Sequence, residues 1–193
     1  MDLDPVAFLA QWAAWYPGSL PVGYRLGEAH RARWLRIHSL PGSRRYPESD
    51  EDWAELLHRH NRVATDLLGD GGHCVVVVPS YGPGSVAELR LRDRLGLRLL
   101  ALVRDDFPES GEPEDHALDL YAAPAAWAPG AFDDVLRWRA SDETGPIMFV
   151  ARETGRAYAP YDGGADLFFP SSAERDEARR RYRAWLSRNP SGL

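Results

Sequence analysis

Apolar positions recur along the chain with two periods, and the switch between them marks the elements. Phe8, Leu9, Trp12 and Trp15 or Tyr16 fall at helical spacing. Asp4 stands where a cap belongs, Pro5 at the first helical position and Pro17-Gly18 at the stop. An irregular stretch through Pro21 and Gly23 separates this helix from a strand over Trp34–Leu40, which Pro41-Gly42 ends. The strongest periodicity is that of Trp53, Leu56, Leu57, His60, Val63, Ala64 and Leu67, one stripe at 3.6 spacing. Ser49 or Asp50 caps that helix, acids fill its first turn and Gly69 follows its end.

The period then falls to two or vanishes. His73-Cys74-Val75-Val76-Val77-Val78-Pro79 is wholly apolar and β-branched, as in a strand covered on both faces. Residues 85–95 fit either a helix or a strand, and Leu97 to Val103 reads as another strand. Residues 105–116 form an exposed acidic loop. Leu118 to Tyr121 predicts a short strand, and the Ala/Pro stretch 122–130 leads into a helix carrying Phe132, Val135 and Leu136. Ile147–Ala151 and Arg156–Tyr161 flank a hairpin signal at Thr154-Gly155. A second turn spans Tyr161–Asp166, and Ser171-x-x-Glu174 opens a C-terminal helix over 171–188. The order implies an α+β fold: a mixed, mostly antiparallel sheet of about five to six strands with helices packed on it. Residues 1–193 are expected to form a single domain.

Charge sharpens this picture. The 193 residues carry 29 acids against 23 bases, for a net charge of −6, and every base is arginine. Without lysine there is no P-loop, Schiff base or lysine general base. Residues 105–172 hold 14 acids and 4 arginines, whereas residues 1–104 and 173–193 are net positive by one and three. An acidic chain is a poor nucleic-acid coat, so nucleic acid is an unlikely partner class. The single cysteine, Cys74, excludes an intrachain disulfide and suits a reducing cytoplasm. The acidic start lacks a signal-peptide pattern, and no uncharged apolar run approaches membrane-helix length, so a soluble protein without a membrane partner is expected.

Candidate chemistry concentrates in two segments. Arg36, His38, Ser43, Arg44, Arg45 and Tyr46 bring guanidinium forks, a hydroxyl and an imidazole near a helix start, a set suited to carboxylate or phosphate. His38 is the acid/base candidate of that set. The plainer alternative is that these arginines pair with Asp50, Glu51, Asp52 or the acidic loop. Tyr161-Asp162-Gly163-Gly164-Ala165-Asp166 sets two carboxylates around paired glycines. Two carboxylates are too few for a cation without help. A tight turn, with glycines at positive φ and aspartates on neighbouring amides, is favoured. His58 and His60 point about 200° apart on a helix and cannot share a metal. His60, central in the apolar stripe, reads as a hydrogen-bonded core histidine. Gly82-Pro83-Gly84-Ser85 lacks the lysine and glycines of a phosphate loop and reads as a plain turn. Cys74 reads as an inert buried thiol. No metal or cofactor is implied.

Arg36-Ile37-His38-Ser39-Leu40-Pro41-Gly42-Ser43-Arg44-Arg45-Tyr46-Pro47 and the C-terminal Tyr161–Asp166 turn resemble a bacterial domain-of-unknown-function family. That family has a Tyr-Asp-x-x-Gly-x-Asp-like turn, and the Gly-Gly-Ala here departs from its bulkier middle. The resemblance implies no activity, but it implies that the two motifs converge in space.

Two functions follow as expectations. One is a module that binds a basic protein, immunity- or antitoxin-like in its concrete form. Asp105, Asp106, Glu109, Glu112, Glu114 and Asp115 would do the steering. The other is an enzyme or binding domain for a phosphorylated or carboxylated small molecule, with Tyr161, Asp162 and Asp166 joining the arginine segment.

Overall fold

The computed structural model describes residues 3–81, 84–105 and 116–186. In chain order these form α1 (Pro5–Trp15), α2 (Gly23–Ala29), β1 (Trp34–His38), α3 (Asp50–Leu68), β2 (His73–Tyr81), α4 (Val86–Leu95) and β3 (Arg98–Asp105). There follow β4 (His116–Ala126), α5 (Asp133–Ala140), β5 (Met148–Ala151), β6 (Ala157–Tyr161), β7 (Gly164–Phe168) and α6 (Ser172–Arg181). The fold is α+β, and the seven strands form one sheet in the order β1-β7-β6-β5-β2-β4-β3. Every pairing is antiparallel.

Seven strands replace the expected five to six. The turn after β6 is only Asp162-Gly163, so β7 starts at Gly164 and runs the whole length of β1. The expected short strand at 118–121 is the middle of an 11-residue β4 that continues through the Ala/Pro stretch. Pro124 is tolerated because β3 faces β4 only as far as Ala122, so the end of β4 is an edge where a missing N–H costs nothing. Residues 86–95 are helical. Ser85 Oγ accepts from the Glu88 amide, the Glu88 carboxylate accepts from the Ser85 amide, and Gly96 closes the helix in the left-handed region. The stretch read as irregular contains α2. It buries Leu26, with Gly23 set against Ala159 of β6.

Both sheet faces are covered. On one, α1 and α2 pack Phe8, Trp12, Val22 and Leu26 against Val75, Val77, Leu120 and Phe168. On the other, α3, α5 and α6 cover Val76, Phe149, Tyr158 and Leu167, with Trp127 wholly buried among them. Trp127 stacks on Phe132 and meets Phe149 and Tyr158 edge-on, the arrangement aromatic quadrupoles prefer. No helix among the described residues is long and apolar enough to cross a membrane.

Candidate functional site

The arginine segment and the Tyr-Asp turn meet. Arg36 of β1 lies directly opposite Asp166 of β7 in the antiparallel ladder, and such partners point to the same face. The guanidinium donates twice, Nε to Oδ1 at 2.7 Å and Nη2 to Oδ2 at 2.9 Å. Trp34 Nε1 donates to the same Oδ1 at 2.8 Å. Asp166 is thereby buried with its charge compensated, and Arg36 stacks between the Trp34 and Tyr161 rings at 5.2 and 4.9 Å.

A second clasp lies beyond the strand end. Arg45 Nε reaches Asp162 Oδ2 at 2.6 Å, and the Tyr46 hydroxyl donates to that oxygen at 3.2 Å. Asp162 is buried while the Arg45 side chain stays 63% exposed, so the arginine lies over the carboxylate as a cover. Arg44 turns the other way. It forks onto Asp52 in the first turn of α3, whose carboxylate also accepts from the Glu48 amide at 3.0 Å. These bonds hold the Asp52 carboxyl down to about 2. The start of α3 is thus filled by its own acids and by the Ser49 cap. The pairing expected among nearby acids holds for Arg44, whereas Arg36 and Arg45 pair across the fold.

The Tyr-Asp segment is the tight turn expected, but its local details differ. Neither Gly163 nor Gly164 has a positive φ, and the aspartates accept from side chains of other elements rather than from neighbouring amides. Gly164 is required by close approach: a Cβ there would lie 1.9 Å from the Ile37 carbonyl oxygen. The left-handed positions are Gly42 and Ser43 instead, in the exposed bend that aims Arg44 and Arg45.

His38 is half-buried opposite Gly164, and its Nε2 is buried without a hydrogen-bond partner. Burial, Arg36 and Arg59 all push its pKa below the usual imidazole range. Its carbonyl accepts from Arg59 of α3 at 3.0 Å, and Arg59, itself buried, also holds Glu55.

Sequence reasoning named only one member of the most enclosed polar cluster. His60 Nε2 and Ser39 Oγ are 2.7 Å apart, and His60 Nδ1 and the Tyr158 hydroxyl 2.5 Å. All three side chains are shut from solvent. Burial lowers the His60 pKa to about 4, so the imidazole is neutral, with one nitrogen donating and the other accepting. This agrees with the core-histidine reading. A histidine amid an apolar stripe demands two buried partners, and Ser39 and Tyr158 are hydroxyls in otherwise apolar surroundings. His58 is exposed against the Trp185 edge. Burial raises the Cys74 thiol to about 12, so it stays protonated and inert.

Of the acidic candidates, Asp105 ends β3, while Asp106, Glu109, Glu112, Glu114 and Asp115 lie outside the described residues. So do Gly82 and Pro83 and the end of the expected 171–188 helix; α6 stops at Arg181 and a 3-10 turn follows over Arg183–Trp185. Among the described residues no cluster of three metal-ligating side chains occurs. Arg156 pairs with Glu174, and of the C-terminal arginines Arg175 pairs with Asp176 and Arg181 with Asp66 and Glu177.

No curated protein and no solved structure matches the chain. A family profile described as a domain of unknown function (DUF3885) matches residues 22–190, a span that contains both the arginine segment and the Tyr-Asp turn. The chain is therefore a member of the DUF3885 family.

Proposed function

We propose that the protein is a binding module for a basic protein partner, with an immunity- or antitoxin-like role as its concrete form. One observation carries the reading: the guanidiniums that would have received an anionic small molecule are already spent on Asp166, Asp52 and Asp162. A phosphate or carboxylate ligand would meet guanidiniums whose charge a carboxylate already offsets, and at Arg36 it would have to displace the bidentate Asp166. Taking Asp166 from Arg36 would leave a buried charge uncompensated. The arginine segment then serves to clasp β1 to β7, and the chain's excess charge sits in its acids.

Asp105 and His116 face each other as the last and first residues of β3 and β4. The acidic run 105–115 joins these two residues in sequence, and its six carboxylates would steer a basic surface. The test is capture from the source cell with the wild-type chain and with a variant carrying Asp→Asn or Glu→Gln at 105, 106, 109, 112, 114 and 115. A basic polypeptide should be retained by wild type at about 0.1 M salt, weaken toward about 1 M and be lost with the variant. Equal recovery by both chains, or no basic polypeptide with either, overturns the reading.

A further inference from the structure

We propose that a cleft at the edge of the sheet binds a free acyl carboxylate, a fatty-acid-like monoanion whose tail fills the cleft and whose head forks onto Arg98. The cleft follows from a mismatch in strand length. β3 begins at Arg98, opposite Ala122, whereas β4 runs on to Ala126. The edge of β4 beyond Ala122 therefore has no β3 residue beside it. Leu3 and Pro5 at the start of α1 bound the gap from one face of the sheet, and Leu95 and Gly96 at the end of α4 bound it from the other. The short side chains of Ala122, Ala123 and Pro124 do not close it, and a cavity of about 640 Å³ remains. That volume lies within the range of small-molecule sites.

The lining selects the occupant. Leu100, Ala122 and Ala123 are buried and give the cleft an apolar floor, and Leu99 is half-exposed at its rim. Arg98 is the one charged residue that lines it. That side chain is exposed and has no hydrogen bond or ion pair among the described residues. In this it differs from Arg36, Arg44 and Arg45, each of which already rests on a carboxylate.

One guanidinium matches one carboxylate in a bidentate fork. A phosphate would bring further charge that nothing lining the cleft receives. The amides at the start of α1 are not available for it, because Asp4 accepts from those of Val6 and Ala7. An extended peptide is a poor occupant, since Pro124 has no N–H to offer an added strand. An apolar tail with a single anionic head satisfies both the floor and the arginine. The site stands independently of the partner proposed above, because Arg98 and Asp105 are the opposite ends of β3.

The test is calorimetric titration of the full chain with sodium decanoate, sodium hexanoate and decanol. Decanoate should bind saturably below about 1 mM. Hexanoate, with its shorter tail, should bind at least about tenfold more weakly. Arg98→Gln should weaken decanoate about tenfold and leave decanol unchanged, because only the charged head uses the fork. Leu99→Asp should abolish decanoate binding by setting a like charge at the rim. Both positions are exposed, so the fold tolerates the changes. No saturable decanoate binding, hexanoate as tight as decanoate, or an Arg98→Gln chain that binds decanoate like wild type overturns the proposal. So does binding to phosphatidylglycerol vesicles without binding to decanoate, which would make a bilayer the occupant.

Discussion

Arg36 and Asp166 are 130 residues apart in the chain and directly opposite each other in the sheet, joined by two hydrogen bonds of 2.7 and 2.9 Å. Asp166 is buried, so its charge depends on the pair and on the Trp34 indole. Arg36→Ala should cost about 3–5 kcal/mol, the usual penalty for stranding a buried charge. Arg36→Met with Asp166→Leu should cost far less than the single change. Urea unfolding of the three chains checks this. A single variant as stable as wild type would show that the clasp contributes nothing.

The Arg45 to Asp162 clasp differs in exposure. Arg45 is mostly in water, and Asp162 keeps the Tyr46 hydroxyl when the arginine is removed. Arg45→Ala should therefore cost about 1 kcal/mol or less, within the range of exposed pairs. Asp162→Ala should cost no more, since the partners it frees are at the surface. Denaturation midpoints decide it.

His60 makes stability depend on pH. Its pKa in the fold, about 4, lies below the ordinary 6.5, so between these values the unfolded chain binds the extra proton. Stability is full above pH 6.5 and falls as the pH drops toward 4, by about 3 kcal/mol in all for this one group. His30 and His38 are shifted in the same direction and add to the slope. His60→Gln should be less stable at about pH 7 and flatter between about pH 7 and 4.5 in urea titrations. An unchanged slope would place the proton uptake elsewhere.

Gly164 allows β1 and β7 to approach. Gly164→Ala puts a methyl group within the Ile37 carbonyl and close to the Tyr161 hydroxyl, both of which must move. The register that joins Arg36 to Asp166 is then strained, and a loss of about 2 kcal/mol or more is expected. Thermal unfolding measures it.

Ser43 holds a left-handed φ of 58° at an exposed bend. Ser43→Gly should raise stability slightly, by a few tenths of a kcal/mol, because relief of strain outweighs the added freedom of the unfolded chain. A fall in Tm would mean that the hydroxyl makes a contact that matters.

Local patterns were legible without the fold. The stripe from Trp53 to Leu67, the caps at Asp4, Ser49 and Ser171, and the valine run all depend on neighbours within a few residues. The same locality predicted His60 as a core residue. It also left β4 too short, because the Ala/Pro stretch is held extended only by its partner β2.

By itself, the sequence determined the α+β class, the chief helices, the absence of lysine and the placement of acid in the middle of the chain. The tertiary structure alone decided which acid each arginine meets. Arg44 found Asp52 nearby, but Arg36 and Arg45 found Asp166 and Asp162 because β1 lies beside β7, and that pairing brings the first strand to the last. Charge type is written in the residue. Whether a guanidinium remains available to a ligand depends on which carboxylate the register sets opposite it, and a register between distant strands is a property of the whole sheet.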